Sequence, residues 1–357
     1  MIKSNYKILA LMSGTSLDGI DIIAVQFKFN KFWSFNISHV VTVKYNSVWK
    51  KTLSNLVTMN MAQLQKIDLK YSEYLAHVIS DFIEQNKIKD IDFIASHGHT
   101  ALHQPENKLT LQIGNNQILA DRINHEVICD FRIQDVELGG QGAPLVPIGD
   151  RLLFNDYQFC LNLGGFANVS YEDDNERIAF DICPVNIVLN HYVGQLDLEY
   201  DDKGNLASSG KIHKNLLSQL NQLQFYSEKH PKSLGLEWVH ENIIPLIDSF
   251  KLQLNDVLRT FVEHIAFQIS KILNLENSKA LVTGGGVYND FLMLRIKHHS
   301  KSNIIIPDNE IVEFKEALIF GLLGVLKDRN EVNCLSSVTG ASHDHSSGKI
   351  LIPKNQF

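Results

Sequence analysis

Residues 6–27 read YKILALM, then SGTSLDG, then IDIIAVQF, and residues 157–171 read YQFCLNL, then GG, then FANVSY. Each stretch is an apolar run, a tight polar turn and a second apolar run. That is the pattern of a β-hairpin, with turns built from Gly, Ser, Thr and Asn. Gly14 and Gly164 lie 150 positions apart (164 − 14), so each half of the chain opens with such a hairpin. Two homologous halves with a ligand between them is one reading; two unrelated hairpins is the other.

Outward from the hairpins, helices and buried strands alternate. From Asp256 to Leu273 the apolar residues Val257, Leu258, Phe261, Val262, Ile265, Ala266, Ile269, Ile272 and Leu273 form one helical stripe, which Asn255 or Asp256 could cap. Tyr71–Gln85 and Glu310–Lys327 read as further helices, the latter with small Gly321 and Gly324 for close packing. Short apolar runs at Ile91–Ala95, Glu126–Cys129, Arg177–Phe180 and Ala280–Val282 read as buried strands, which gives an α/β class.

The chain has 357 residues, room for two domains or one large α/β unit. Lys+Arg 33 minus Asp+Glu 40 gives −7, against the dense basic face that a nucleic-acid backbone needs. Cys129, Cys160, Cys183 and Cys334 form no CxxC pair, which suits buried small side chains in a reducing compartment. The apolar run Ile8–Met12 is short for a signal peptide, and no run approaches the roughly 20 apolar residues of a membrane span. A cytoplasmic protein without a membrane partner is the expectation.

Three Gly-rich turns follow buried strands. Ser13-Gly14-Thr15-Ser16-Leu17-Asp18-Gly19 offers backbone N–H groups and hydroxyls to an anion, and Asp18 could hold a hydrated Mg²⁺ beside phosphates. It lacks the lysine of a P-loop. Asn162-Leu163-Gly164-Gly165-Phe166-Ala167-Asn168 could add donors. Thr283-Gly284-Gly285-Gly286 lies between a strand and the helix from Asp290, where a flat ligand can approach the backbone. Together they point to nucleotide binding. Asp181 sits at the end of a buried strand and is a candidate general base or, more simply, a cap for a helix near Asn186. His97, His99 and His103 suit sugar or phosphate hydrogen bonding, or a structural role, better than a metal, because no carboxylate or Cys accompanies them. Arg132 could clamp a carboxylate or phosphate, or pair with Asp135. Glu313 and Glu316 read as a solvated helix face.

These motifs resemble the anhydro-N-acetylmuramic acid kinase family over nearly the whole chain: MSGTSLDGID at 12–21, SHGHT at 96–100 with His103, LQIGNNQILA at 111–120, DFRIQDVELGGQGAPLVP at 130–147, NLGGFANVS at 162–170, GNLASSG at 204–210, PKSLGLEW at 231–238, VTGGGVYN at 282–289, EALIFGLLG at 316–324 and SVTGAS at 337–342. The resemblance implies a two-lobed actin-like ATPase (ribonuclease H-like) fold with duplicated mixed sheets and a central ATP cleft. It divides the chain into 1–150 and 151–357, with the last helix free to return to the first lobe. It implies ATP with Mg²⁺, a small sugar substrate, a homodimer, and cleavage of a 1,6-anhydro bridge with phosphorylation of O6 in murein recycling. By the same resemblance Gly14, Thr15, Ser16, Leu17, Asp18, Gly19, Ile20 and Asp21 form the first phosphate loop. Asn162, Gly164, Gly165 and Asn168 form the second, while Gly284, Gly285, Gly286 and Asn289 lie by the adenosine. Asp181 is the implied base, Asp18 orders Mg²⁺, and His97, His99, Thr100, Arg132, Gln141 and Glu316 are assigned to the sugar.

The chain departs from the family pattern in places. Ile182-Cys183-Pro184-Val185-Asn186 replaces the usual Thr-Gly-Pro-Gly-Asn, which is expected to restrict the backbone and crowd Asp181. His99 replaces Gln, and Leu234 and Leu236 replace Thr and Arg. A kinase for a related amino sugar and a non-catalytic ATP-binding regulator of the same fold are the alternatives.

Overall fold

The computed structural model describes residues 3–14 and 16–354. The chain forms two compact units, Met1–Leu153 with Phe314–Phe357, and Phe154–Glu313. The second unit is one continuous stretch; the first is completed by the C-terminal segment, so residues 314–357 do not belong with 154–313.

In the first unit, β1 (Asn5–Ser13), β2 (Gly19–Asn30) and β3 (Phe32–Lys44) form an antiparallel meander. β4 (Phe93–Gln104) runs parallel to β1 and carries β5 (Leu109–Ile113) as a hairpin partner. β6 (Val127–Cys129) runs parallel to β4. The C-terminal strand of the chain, Lys349–Leu351, pairs antiparallel with β6 at the sheet edge. Both faces of β1 are covered, which is why its sequence is a continuous apolar run rather than an alternation. On one face the helix Met61–Asn86 contributes Leu64, Tyr71, Leu75, Ile79 and Phe82 to a core with Leu9 and Leu11. That helix starts well before Tyr71 because Asn60 and Gln63 form a reciprocal capping box. On the other face lies the helix Asn309–Asp328. A Cβ on its Gly321 would stand 3.0 Å from the Ala10 Cβ, and one on Gly324 2.9 Å from the Ala95 Cβ. Those two glycines let helix and sheet backbones approach closely.

In the second unit, β7 (Phe159–Leu163), β8 (Phe166–Asp173) and β9 (Glu176–Pro184) form a second antiparallel meander. β10 (Lys279–Thr283) runs parallel to β7, and β11 (Asn303–Ile305) parallel to β10. The order β9-β8-β7-β10-β11 repeats β3-β2-β1-β4-β6 of the first unit. The two hairpins read in the sequence are therefore the first two strands of a mixed sheet whose order recurs in both units. The helix Leu254–Ile272 buries its predicted stripe in the core. Its N-cap is Gln253, with no side-chain cap bond. Asp256 instead accepts the Lys211 N–H at 2.7 Å, and Asn255 donates to Ser209, so neither caps the helix. Among the described residues no helix is long and apolar enough to cross a membrane.

Candidate active site

Two sets of polar residues gather at turns after buried strands, one set in each unit. In the first unit the turn between β1 and β2 leaves Ser16 and Asp18 exposed, with Leu17 at φ +60° and its N–H donating to the Gly14 carbonyl at 3.4 Å. Gly19 is required here, since a Cβ would stand 2.6 Å from the Val43 carbonyl oxygen. Ile20 points into the core and offers only its backbone. The Asp21 carboxylate accepts a hydrogen bond from the Thr42 hydroxyl at 2.6 Å. Thr15 lies outside the described residues.

Beneath this turn is a buried polar network that sequence reasoning missed. Ser13 Oγ lies 2.8 Å from His99 Nδ1, 2.5 Å from the Tyr45 hydroxyl and 3.1 Å from that of Tyr71. The two tyrosine hydroxyls are 2.5 Å apart. Burial pushes the Tyr45 phenol up to about 12 and holds the Tyr71 phenol well above its usual value. Burial also lowers His99 to about 4, so the imidazole is neutral at pH 7. The signal available in the sequence was Tyr71 on the apolar stripe of a helix, a polar-tipped ring that needs a partner when buried.

Next to this network, His97 and Arg132 are coupled. Arg132 Nε donates to His97 Nε2 at 3.0 Å, and a second guanidinium nitrogen donates to the Gly142 carbonyl at 2.7 Å. His97 Nδ1 in turn donates to the Gly98 carbonyl at 2.9 Å, which fixes its tautomer. Burial, reinforced by the guanidinium, holds His97 well below its usual range. Arg132 also stacks over Phe320, with 5.7 Å from its central carbon to the ring centroid. Asp135 does not take a hydrogen bond from Arg132; it accepts the Gly142 N–H at 2.6 Å, so loop and arginine are joined through Gly142. Thr100 accepts from the Gln112 amide at 3.5 Å, and Gln141 is exposed. Glu316 keeps solvent access although protein crowds it; the crowding raises its carboxyl, while Arg132 acts in the opposite direction. His103 is tied to Thr110, 3.1 Å away.

In the second unit, register does what spacing could not show. Thr283 pairs with Asn162, Asn162 with Asn168, and Asn168 with Asp181. Directly paired positions share a sheet face, so four strands present one row of polar side chains. The row lies at the turns. Gly164 and Gly165 leave the β7–β8 turn open, with no atom closer than 3.3 Å to a Cβ placed on either. Gly284, at φ +84°, packs on this turn: its Cβ would stand 2.5 Å from Asn162 Oδ1. Gly286 sits as tightly against Leu163, whereas Gly285 is open. Asn289 accepts the Leu292 N–H at 2.9 Å as the N-cap of the helix Asp290–His299.

Asp181 is half-buried. Its Oδ2 accepts the Leu234 N–H at 2.8 Å, and its own N–H donates to the Lys232 carbonyl at 3.2 Å. Burial raises its carboxyl above the usual carboxylate range, against that one hydrogen bond. It does not cap the helix Asn186–Val193, whose N-cap is Val185. The altered segment after Asp181 packs into the core, although Cys183 stays near enough for the Asp181 charge to add to the burial that raises its thiol. Cys183 and Val185 are fully buried in the core of the second unit. Val185 has φ −128°, outside the left-handed region that demands glycine. The bulk expected beside Asp181 is thus absorbed by the core. Leu234 contacts Asp181 through its backbone, a bond that Thr or Leu makes equally well.

Residues 6–353 match the family model described as anhydro-N-acetylmuramic acid kinase. The chain belongs to this family. Relatives named anhydro-N-acetylmuramic acid kinase include one from Pseudomonas syringae pv. tomato, 34% identical over 319 residues and covering 85% of each chain. Another, from Aliivibrio fischeri, is 31% identical over 370 residues, covering 98% of this chain and all of its own. Among solved structures, ligand-bound xylulose kinase from Lactobacillus acidophilus overlaps with a TM-score of 0.45 at 12% identity, over 98% of this chain and 94% of that one. As a member of the anhydro-N-acetylmuramic acid kinase family the chain is an ATP-using sugar kinase.

Proposed function

We propose that this chain cleaves the 1,6-anhydro bridge of anhydro-N-acetylmuramic acid and transfers the γ-phosphoryl group of ATP to O6, giving N-acetylmuramic acid 6-phosphate. Asp181 acts as the base. Its carboxylate takes a proton from water as the water oxygen bonds to C1 and the C1–O6 bond breaks. O6 bonds to the γ-phosphorus, and ADP leaves with the bridging oxygen. The first half has the logic of an inverting glycosidase, with a carboxylate activating water. The second is phosphoryl transfer, in which positioning and charge stabilisation dominate.

The observation that carries this reading is the environment of Asp181. A single backbone N–H holds Oδ2, partial burial raises the carboxyl toward working pH, and Asn168 and Asn162 stand beside it on the same sheet face. In the first unit, Asp18 is an exposed hard-oxygen donor at the phosphate turn, which fits a Mg²⁺ that keeps its waters. Bound there with ATP, Mg²⁺ would neutralise phosphate charge. Ser13 and Gly14 to Asp21 would take the phosphates, with Gly284 to Gly286 close to the adenosine. Arg132, held in one rotamer by His97 and Gly142, would meet the lactyl carboxylate, with His97, His99, Thr100, Gln141 and Glu316 lining the sugar's place. Murein recycling in the cytoplasm is the setting this activity implies, and the family resemblance adds a homodimer.

The test is incubation with MgATP and anhydro-N-acetylmuramic acid, read by mass spectrometry. Formation of N-acetylmuramic acid 6-phosphate with one ADP per sugar is the expected result. ATP binding without that product would remove the substrate assignment and send the search to other amino sugars. ATP turnover that ignores sugar would favour a regulatory ATPase.

A further inference from the structure

The loop that holds Arg132 is anchored by a buried cluster to which the phosphoryl-transfer reading gives no part. Asp135 is fully buried, and Oδ1 accepts hydrogen bonds from the Thr339 hydroxyl at 2.6 Å and the Cys334 thiol at 3.0 Å. Its Oδ2 accepts the Gly142 N–H at 2.6 Å. His345, also buried, has Nδ1 3.0 Å from the His343 carbonyl oxygen. A carbonyl can only accept, so Nδ1 carries the hydrogen. The other nitrogen, Nε2, is buried, has no hydrogen-bond partner among the described residues, and lies 3.6 Å from Asp135 Oδ1. The sulfur, the imidazole nitrogen and the carboxylate oxygen all fall within 4.8 Å of one another.

A buried imidazole nitrogen 3.6 Å from a carboxylate oxygen calls for a proton or a metal cation between them. We propose that Asp135, Cys334 and His345 form a binding site for a divalent transition-metal ion of the zinc type. One thiolate, one imidazole and one carboxylate suit a cation of borderline softness. Tetrahedral coordination at the usual zinc bond lengths separates donor atoms by about 3–4 Å, close to the spacings here. The outer contacts are those that orient metal ligands. Thr339 and Gly142 hold the carboxylate, and the His343 carbonyl fixes the imidazole tautomer with Nε2 as donor. Gly140 closes the wall, since a Cβ there would collide with Asp135 Oδ2. Binding replaces the thiol hydrogen by the metal and releases that proton to solvent. The three protein donors leave one coordination position. Occupancy would tie the C-terminal segment to the loop whose Gly142 carbonyl accepts from Arg132.

The experiment uses the full chain, stripped with a chelator under reducing conditions and titrated with Co²⁺ as a spectroscopic probe. The expected result is one Co²⁺ per chain, with a thiolate charge-transfer band and tetrahedral d–d bands that Zn²⁺ abolishes by displacement. Cys334→Ser should lose the charge-transfer band and bind about tenfold more weakly or worse. His345→Gln should weaken binding likewise, whereas Cys129→Ser should leave both band and affinity unchanged. Circular dichroism checks that each variant folds; if Cys334→Ser does not, the wild-type spectrum alone decides. No band at one equivalent, or a band that survives Cys334→Ser, would overturn the site and leave a buried imidazolium–carboxylate pair in its place.

Discussion

Replacing His99 with glutamine should flatten the acid sensitivity of the first unit. The buried imidazole bonded to Ser13 is lowered from 6.5 to about 4 by burial. Its folded pKa is depressed, so the associated stability is fully present above pH 6.5 and is lost as pH falls toward 4. The shift is about 2.5 units, or about 3 kcal/mol over the whole window at roughly 1.4 kcal/mol per unit. Between pH 7 and pH 5 the unfolded chain takes up most of its proton while folded His99 takes up almost none, which works out at about 2 kcal/mol. Trp49 packs on Tyr71 with ring centroids 5.2 Å apart, so its fluorescence reports the same network. Urea unfolding at the two pH values, followed by that fluorescence, should show the wild type losing about 2 kcal/mol more than His99→Gln. Other titrating groups are common to both proteins and cancel. Parallel pH dependences would refute the reasoning, because His99 would then bind its proton as easily folded as unfolded.

Asp181→Asn should cut product formation by about 10²–10⁴-fold with little change in ATP binding, read by coupled ADP release and nucleotide titration. The acid limb of the wild-type rate should sit above the ordinary aspartate range, since burial raises this carboxyl and only its ionised form takes the proton. Gly284→Ala forces a side chain onto φ +84° and against Asn162, so it should destabilise by about 1–3 kcal/mol in urea unfolding and raise KM for ATP. Val185→Gly restores a glycine of the common family pattern yet removes a fully buried side chain; it should cost about 2–4 kcal/mol and bring no gain in kcat. A variant more active and no less stable would show that Val185 crowds the base after all.

The hairpins were legible because their apolar runs are continuous and their turns are unmistakably Gly-rich, and the helix 254–272 because its stripe is complete. The strand read at Ile91–Ala95 runs on to Gln104, since Gly98 at φ +72° lets a polar, histidine-rich segment continue the ladder. Composition alone gave no reason to extend it. The candidate residues could be picked out one by one from motifs, but their neighbourhoods could not. Asn162, Asn168 and Asp181 become neighbours only through strand register, and Ser13, Tyr45, Tyr71 and His99 only through tertiary packing. Cys334 read as an inert small hydrophobe because its partners lie far away in sequence, at Asp135 and across the C-terminal segment. The expectation that Cys183 and Val185 crowd Asp181 could not anticipate that both side chains are buried in the core of the second unit.

The order in which the units appear along the chain also bears on how the protein is made. Residues 154–313 are contiguous and carry every strand of their sheet, so that unit can close while the ribosome is still adding residues. The first unit cannot. Its sheet lacks the helix whose Gly321 and Gly324 rest on Ala10 and Ala95, and the edge strand beside β6, until residue 351 has emerged. The earliest-synthesised apolar strands must therefore wait for the latest, exposed during translation to the aggregation hazard that chaperones meet. Substitutions in the last forty or so residues should then show first as lower yield of soluble protein, before any loss of turnover in the molecules that do fold.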